Sequence, residues 1–301
     1  MPVEIPFRRE FSFEYGRLEP IAPMIRRIVA RNPSPFTFRG TGTYVVGNGE
    51  VAVIDPGPDL PEHVAALLAA LSGEQVTHIL ITHTHRDHSP AARALQQATG
   101  APTYGFGPHA GGKRGDTGVE EGGDWDFVPD RTLGDGDWVG GNGWVLEAVH
   151  TPGHTSNHLC FALPAEGVLF SGDHVMGWST SVIAPPDGDM AAYMASLRKL
   201  LARPDAVYWP THGPAITEPH DHVRAFIAHR RERETGILEC LRAGVSQIDA
   251  IVERLYVGLQ PSLRLAAARS VHAHLIDLVG RGMVESDGPS TLEADYRSVR
   301  S

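Results

Sequence analysis

The chain has only two cysteines in 301 residues, Cys160 and Cys240, far apart in sequence. Neither a disulfide framework nor a Cys-x-x-Cys zinc clamp can be built from them. Both read as small buried apolar residues, and a reducing, cytoplasmic setting is expected. Long apolar runs are also missing. The longest aliphatic stretch, "VAALLAALSG", falls well short of the roughly 20 residues that span a bilayer, so no membrane partner is expected. The start, "MPVEIPFRREFSFEYGR", has charges and prolines where a secretory signal would need an apolar core. Basic residues are the minority, 26 against 36 acidic, and the formal net charge of -10 argues against broad binding to a phosphate backbone. With 42% apolar residues and no low-complexity tract, the chain is long enough for one large domain or one domain with a small appendage.

What is present is an alternation of strand and helix signals. "TGTYVVGNGEVAVIDPG" predicts two strands, Thr43–Val46 and Val51–Asp55, joined at Asn48-Gly49. "LPEHVAALLAALSG" predicts a helix between Pro61 and Gly73. An apolar strand, Val76–Ile81, leads into "THTHRDHS" and then a helix that Ser89 can cap, with Pro90 in its first turn and Gly100 at its end. Gly105 to Gly143 is rich in Gly, Asp and Pro and reads as a long functional loop. Strands resume at "WVLEAVH", "LCFAL", "VLFSG" and "AVYWP", with a helix at Met190–Leu201. This repeated order predicts an α/β domain of two sheets between helices, spanning residues 1–218.

From residue 219 to 301 the character changes to three helices and a short β element, the pattern of a small winged-helix domain. Between Val223 and Asp287 there are nine arginines against eight acidic residues. That balance lacks the footprint of a sequence-specific DNA reader, so packing or homodimerisation is the expected role.

The densest chemistry is in "THTHRDHS". His83 and His85 lie two apart, and Asp87 and His88 follow where the strand turns into the helix. This is either a histidine-rich polar loop or half of a metal site, in which the first pair serves one ion and the second pair another. Three downstream stretches favour the metal: His154 in "HTPGHTSNH", Asp173 in "LFSGDH" and His212 in "WPTHGP" each flank an apolar strand next to Gly or Pro.

Together these motifs resemble the metallo-β-lactamase-fold hydrolases, whose pattern is T-H-x-H-x-D-H, then P-G-H-T, G-D and H-G. "THTHRDH", "PGHT", "SGD" and "THGP" all stand here, between about Gly40 and Pro214, with "DPG" at Asp55–Gly57 also matching. The C-terminal segment resembles the winged-helix appendage of one subgroup. The resemblance implies an αββα sandwich (α+β by class) with two zinc ions, or manganese or iron, at one edge. It implies His83, His85 and His154 on the first ion, Asp87, His88 and His212 on the second, and Asp173 bridging both. It further implies a hydroxide shared by the two ions, with Asp87 as a proton acceptor and Asp55 orienting the ligand loop from behind. His158 and His174 lie near these ligands and are candidates for supporting them from behind, or are plain core residues. His63, His78, His109, His150, His220, His222, His229, His272 and His274 match no ligand position and read as surface or core. Trp178, Ser179 and Thr180 follow Asp173 and are candidates for a pocket wall. One departure from the family is Ser89-Pro90-Ala91-Ala92, where many members continue with x-G-G after the Asp-His pair.

The implied activity is a dinuclear zinc-dependent hydrolase of an ester, lactone, thioester or phosphodiester, acting on a small molecule or, as the subgroup suggests, on single-stranded RNA. A glyoxalase II-like thioesterase and a mononuclear-iron persulfide dioxygenase are the alternatives. Only 38 residues separate Asp173 from His212, too few for the domain that RNA-processing branches insert there.

Overall fold

Alternating valine, isoleucine and tyrosine give the first half of the chain its sheet. The computed structural model describes residues 3–110 and 122–299. Among these, β1 (Glu19–Ala22), β2 (Ile25–Val29), β3 (Gly42–Asn48), β4 (Glu50–Ile54), β5 (Gln75–Leu80), β6 (Thr103–Gly105) and β7 (Arg131–Thr132) form one sheet in sequence order. The strands are antiparallel up to β4 and parallel beyond it. Two crossover helices, α1 (Pro61–Ala70) and α2 (Ala91–Thr99), make the parallel pairing possible and cover the outer face with Leu67 and Leu95.

A second sheet has the order β12-β11-β10-β9-β8. Its strands are β8 (Trp138–Gly141), β9 (Trp144–His150), β10 (Leu159–Leu163), β11 (Val168–Gly172) and β12 (Val207–Pro210). Helix α3 (Met190–Leu201) carries the chain across to β12, which is parallel to β11. The inner faces meet in one core where Tyr44, Val46 and Ile54 pack with Leu146, Phe161 and Phe170. Trp144 bridges the sheets by donating its indole N–H to the Glu50 carbonyl at 3.0 Å. A Cβ on Gly47 would lie 2.5 Å from that ring, so this close approach requires glycine.

Beyond the sandwich come α4 (Pro219–Arg242), α5 (Ile248–Leu255), α6 (Arg264–Gly280) and a hairpin of β13 (Val284–Ser286) with β14 (Tyr296–Ser298). Helix α4 serves two cores. Val223, Phe226 and Ile227 pack beside Tyr193 and Leu197 of the sandwich, while Ile237, Leu238 and Leu241 pack with α5 and α6. Among the described residues no helix is long and apolar enough to cross a membrane.

The layered sandwich and helical C-terminal part match the sequence reading, with five local differences, the first being β6, whose three residues are too few to read. Strands β1 and β2 were hidden because prolines and arginines interrupt their short apolar runs. Strands β7 and β8 lie within the stretch from Gly105 to Gly143 that reads as one loop; residues 111–121 of it are outside the described residues. The wing has a second strand, β14, whose three residues give no alternation long enough to read. Ser89 does not cap α2, which starts after Pro90 with no side-chain cap. The Ser89 hydroxyl instead donates to Asp124 Oδ2 at 2.7 Å, because the chain is still turning there.

Candidate metal centre

Apolar strands end abruptly at polar residues along one edge of the sandwich, and that edge gathers the histidines. Leaving β4, Asp55 takes φ 48, a left-handed conformation that is uncommon for a residue with a side chain. Its fully buried carboxylate reaches two segments that carry candidate ligands. Oδ1 accepts from the Thr82 backbone N–H at 2.8 Å; Oδ2 accepts from Thr82 Oγ1 at 2.7 Å and Thr211 Oγ1 at 3.0 Å. Oδ2 also faces His88 Nδ1 at 2.8 Å. Thr82 precedes His83 and Thr211 precedes His212, so one carboxylate fixes the starts of two ligand loops and the ring of a third ligand.

The ligand atoms converge. His83 Nε2 lies 3.0 Å from His85 Nδ1, which lies 3.2 Å from His154 Nε2. His154 donates Nδ1–H to the Val182 carbonyl at 2.7 Å, leaving Nε2 as a bare lone pair aimed at the cluster. On the other side His212 Nε2 lies 3.0 Å from Asp87 Oδ2 and 3.3 Å from Asp173 Oδ2. His88 Nε2 is 3.4 Å from each of the same two oxygens. His212 Nδ1 turns away to the Gly40 carbonyl at 3.2 Å. Three groups of ligand atoms, His83–His85–His154, His83–His88–Asp173 and Asp87–His88–His212, each fit within 4.8 Å. All seven predicted ligands are thus brought together and buried, and Asp173 lies between the two imidazole sets.

Burial and neighbouring imidazoles hold His83 and His85 well below the usual histidine range, and burial lowers His154. These three are neutral donors. Burial alone would raise Asp87 and Asp173, but the charges of His88 and His212 and their hydrogen bonds hold both carboxyls well below their ordinary range. Conversely, burial would lower His88 and His212, yet the facing carboxylates raise His88 well above normal and His212 to about 10. Among the described residues Asp173 Oδ1 is buried with no hydrogen-bond partner, and the buried His88 Nε2 meets the two carboxylates only loosely, at 3.4 Å. Orphaned donor atoms inside a mixed imidazole–carboxylate cluster fit divalent cations, which accept such ligands.

His158 is one of the two candidates for supporting the cluster from behind. Its Nε2 accepts the Asp173 backbone N–H at 3.2 Å, and its Nδ1 bonds Thr151 Oγ1 at 2.9 Å. It therefore positions Asp173 from behind, and its place at the mouth of β10 was the available signal. Gly172 permits this: at φ 52, a Cβ there would lie 2.5 Å from His158 Nε2. The His174 ring packs on Tyr193 and neither of its nitrogens has a hydrogen-bond partner among the described residues, while its carbonyl accepts from Tyr193 Oη at 3.0 Å.

Comparison with known proteins agrees with this construction. Residues 37–212 match the metallo-beta-lactamase superfamily, and residues 248–290 match the beta-lactamase associated winged helix domain. The beta-lactamase-like protein 2 homolog of Caenorhabditis elegans is 32% identical over 280 residues, covering 89% of this chain and 88% of that protein. The atrochrysone carboxyl ACP thioesterase dmxR1 of Cryptosporiopsis sp. (strain 8999) is 29% identical, over 76% of this chain and 66% of that protein. A beta-lactamase domain protein from Burkholderia ambifaria has the same fold, with a TM-score of 0.76 at 20% identity over 98% of this chain and 97% of that one. From its seven-residue edge cluster to its C-terminal helices, the chain belongs to the metallo-beta-lactamase superfamily and carries its associated winged helix domain.

Proposed function

We propose that the chain is a dinuclear metal-dependent hydrolase of acyl compounds, with thioesters as its substrate class. The observation that carries the reading is the convergence of seven donors in which, among the described residues, Asp173 Oδ1 is buried without a hydrogen-bond partner and His88 Nε2 meets only two carboxylate oxygens at 3.4 Å. His83, His85 and His154 would hold one cation, Asp87, His88 and His212 the other, with Asp173 shared; zinc suits this donor set, and manganese or iron are the alternatives. Two such cations lower the pKa of water towards neutrality and polarise a carbonyl oxygen.

The residues do the rest. Asp55 locks the His88 ring by its Nδ1, and the Val182 and Gly40 carbonyls do the same for His154 and His212, so the reacting edge is preorganised. Asp87 Oδ2, ionised and beside His88 and His212, is the acceptor for the proton that leaves as water attacks. Support for thioesters comes from the thioesterase name carried by a relative of similar sequence.

The test is metal analysis joined to a substrate panel of N-acetylcysteamine thioesters, lactones, nitrocefin, bis-phosphodiesters and single-stranded RNA. Two equivalents of metal and thioester turnover are expected. Asp87→Ala and Asp173→Ala should each lower turnover at least a hundredfold with circular dichroism unchanged. Metal-free protein from chelator-free purification, or full activity in Asp173→Ala, would refute the proposal; cleavage of RNA alone would reassign the substrate.

A further inference from the structure

Between the sandwich and the C-terminal helices lies a cavity of about 670 Å³, within the size range of small-molecule sites. It adjoins the metal centre through two walls. The Trp178 indole lies over Gly213, where a Cβ would come within 2.9 Å of the ring, and Gly213 follows His212. Val182, another wall residue, is the carbonyl that orients His154. Phe38 stacks on Trp178 at 4.8 Å, and Tyr256, Leu259 and Leu263 close the cavity from the helical side. The walls therefore suit a flat or extended apolar body.

The charge in this cavity is lopsided. Arg9, Arg230 and Arg233 line it against one acid among the described residues, Glu232, which accepts the Val3 backbone N–H at 3.3 Å. Arg230 is only 3% exposed. Its guanidinium donates Nη2–H to the Ser181 carbonyl and stands 5.3 Å from the Tyr193 ring centre; its Nε has no partner, and no carboxylate of the described residues pairs with it. Arg233 is likewise held by neutral groups, the Leu255 carbonyl at 2.7 Å and His229 Nε2 at 3.3 Å. Because His229 Nε2 accepts there, its proton is on Nδ1, a further donor without an acceptor. A buried cation with no counter-ion is costly, and a ligand that brings the anion relieves the cost. The larger cavity of about 1120 Å³ beside α6 is different: its Arg281 is already paired with Glu234 and Asp277, and its Arg269, held by the Pro185 carbonyl, shares the lining with four acids, Asp187, Asp189, Asp277 and Glu293.

We propose that this cavity holds the acyl half of the substrate and that Arg230 pairs with a carboxylate on it, making the preferred substrates carboxylate-bearing acyl compounds with an aromatic or extended apolar body. This rests on the hydrolase reading for the reaction, but the binding claim stands or falls separately.

The direct test is titration calorimetry of the metal-loaded protein with 2-naphthoate and its neutral isostere 2-naphthamide. The carboxylate is expected to bind roughly 10- to 100-fold tighter, the size of a charge-assisted hydrogen bond in a buried site. Arg230→Gln should remove most of that preference while leaving naphthamide affinity unchanged, and Arg230→Lys should restore part of it. Equal affinity of the two ligands for the unmodified protein would overturn the proposal whatever the variants do. So would a preference that persists in a folded Arg230→Gln, since the carboxylate would then be bound elsewhere, at the metals. A second arm compares kcat/KM for the N-acetylcysteamine thioesters of 4-carboxybenzoic and 4-carbamoylbenzoic acid, with the preference expected in KM. Turnover of both without a preference would overturn the cavity assignment alone. Turnover of neither, with the naphthoate preference intact, would overturn the thioesterase reading and leave the carboxylate site standing.

Discussion

Replacing Asp55 by Asn isolates what the buried carboxylate contributes, because shape is kept and only charge and one acceptor are lost. Four donors now face its two oxygens, three of them at Oδ2. An amide has one acceptor. If that oxygen takes the three donors, the NH2 opposes the Thr82 backbone N–H; if it is flipped, the NH2 opposes the other three. In the better arrangement three bonds fall from charge-assisted to neutral strength, about 1 kcal/mol each, and one buried N–H is orphaned at about 1–3 kcal/mol. The metal-free protein should therefore lose roughly 4–6 kcal/mol, measured by urea denaturation. Losing the carboxylate partner also weakens Nε2 of His88 as a ligand, and affinity at the Asp87–His88–His212 group should fall about 10- to 100-fold. Competition of zinc against a chromophoric chelator resolves the two binding steps, and Asp87→Ala marks which step belongs to that group. Wild-type affinity at both steps, or a loss confined to the His83–His85–His154 group, would refute the bracing role.

Two further outcomes follow from the same geometry. His88 and His212 are raised in the metal-free protein, so both carry two protons at pH 7 and must release one each to coordinate; zinc loading should liberate about two protons per chain, and affinity should fall as pH falls. Calorimetry in buffers of differing ionisation enthalpy counts these protons, and a value near zero would contradict the assignment. Gly172→Ala places a Cβ 2.5 Å from His158 Nε2 at a left-handed φ, which should cost roughly 1–3 kcal/mol and reduce zinc content by displacing Asp173. A wild-type melting temperature and full zinc occupancy in that variant would disprove the contact.

The residues of the cluster were legible because they stand on the loops that leave apolar strands, and strand ends are visible in a sequence. Asp55 was legible by resemblance, although no pattern in the chain says that Thr82 and Thr211 both point at it. His158 was legible only by its nearness to the cluster, since its work is to accept one backbone N–H and its place at the mouth of β10 is the one sign that separates it from a core histidine. Arg230 shows a signal that was present but unread. In "VRAFIAHRR" it falls in phase with Val223, Phe226 and Ile227, on the apolar stripe of α4, amid a run of charge that otherwise reads as a solvated face. A charged residue on an apolar stripe is the sequence trace of a buried ion, and here it locates a cavity walled in part by the C-terminal helices, whereas the stretch from Gly105 to Gly143 reads as a long functional loop. Among the described residues none of that loop lines this cavity.

Helix α4 gives the two parts of the molecule a common fate. Cutting the chain before Pro219 would strip Val223, Phe226 and Ile227 from the sandwich, each worth about 1.5–3 kcal/mol of burial, against a total stability of about 5–15 kcal/mol for a typical domain. The catalytic half is thus not a module that can be lifted out and joined to another partner. A substitution that loosens the winged-helix core will be felt as a change in the shape of the substrate cavity, so selection on one half is selection on the other.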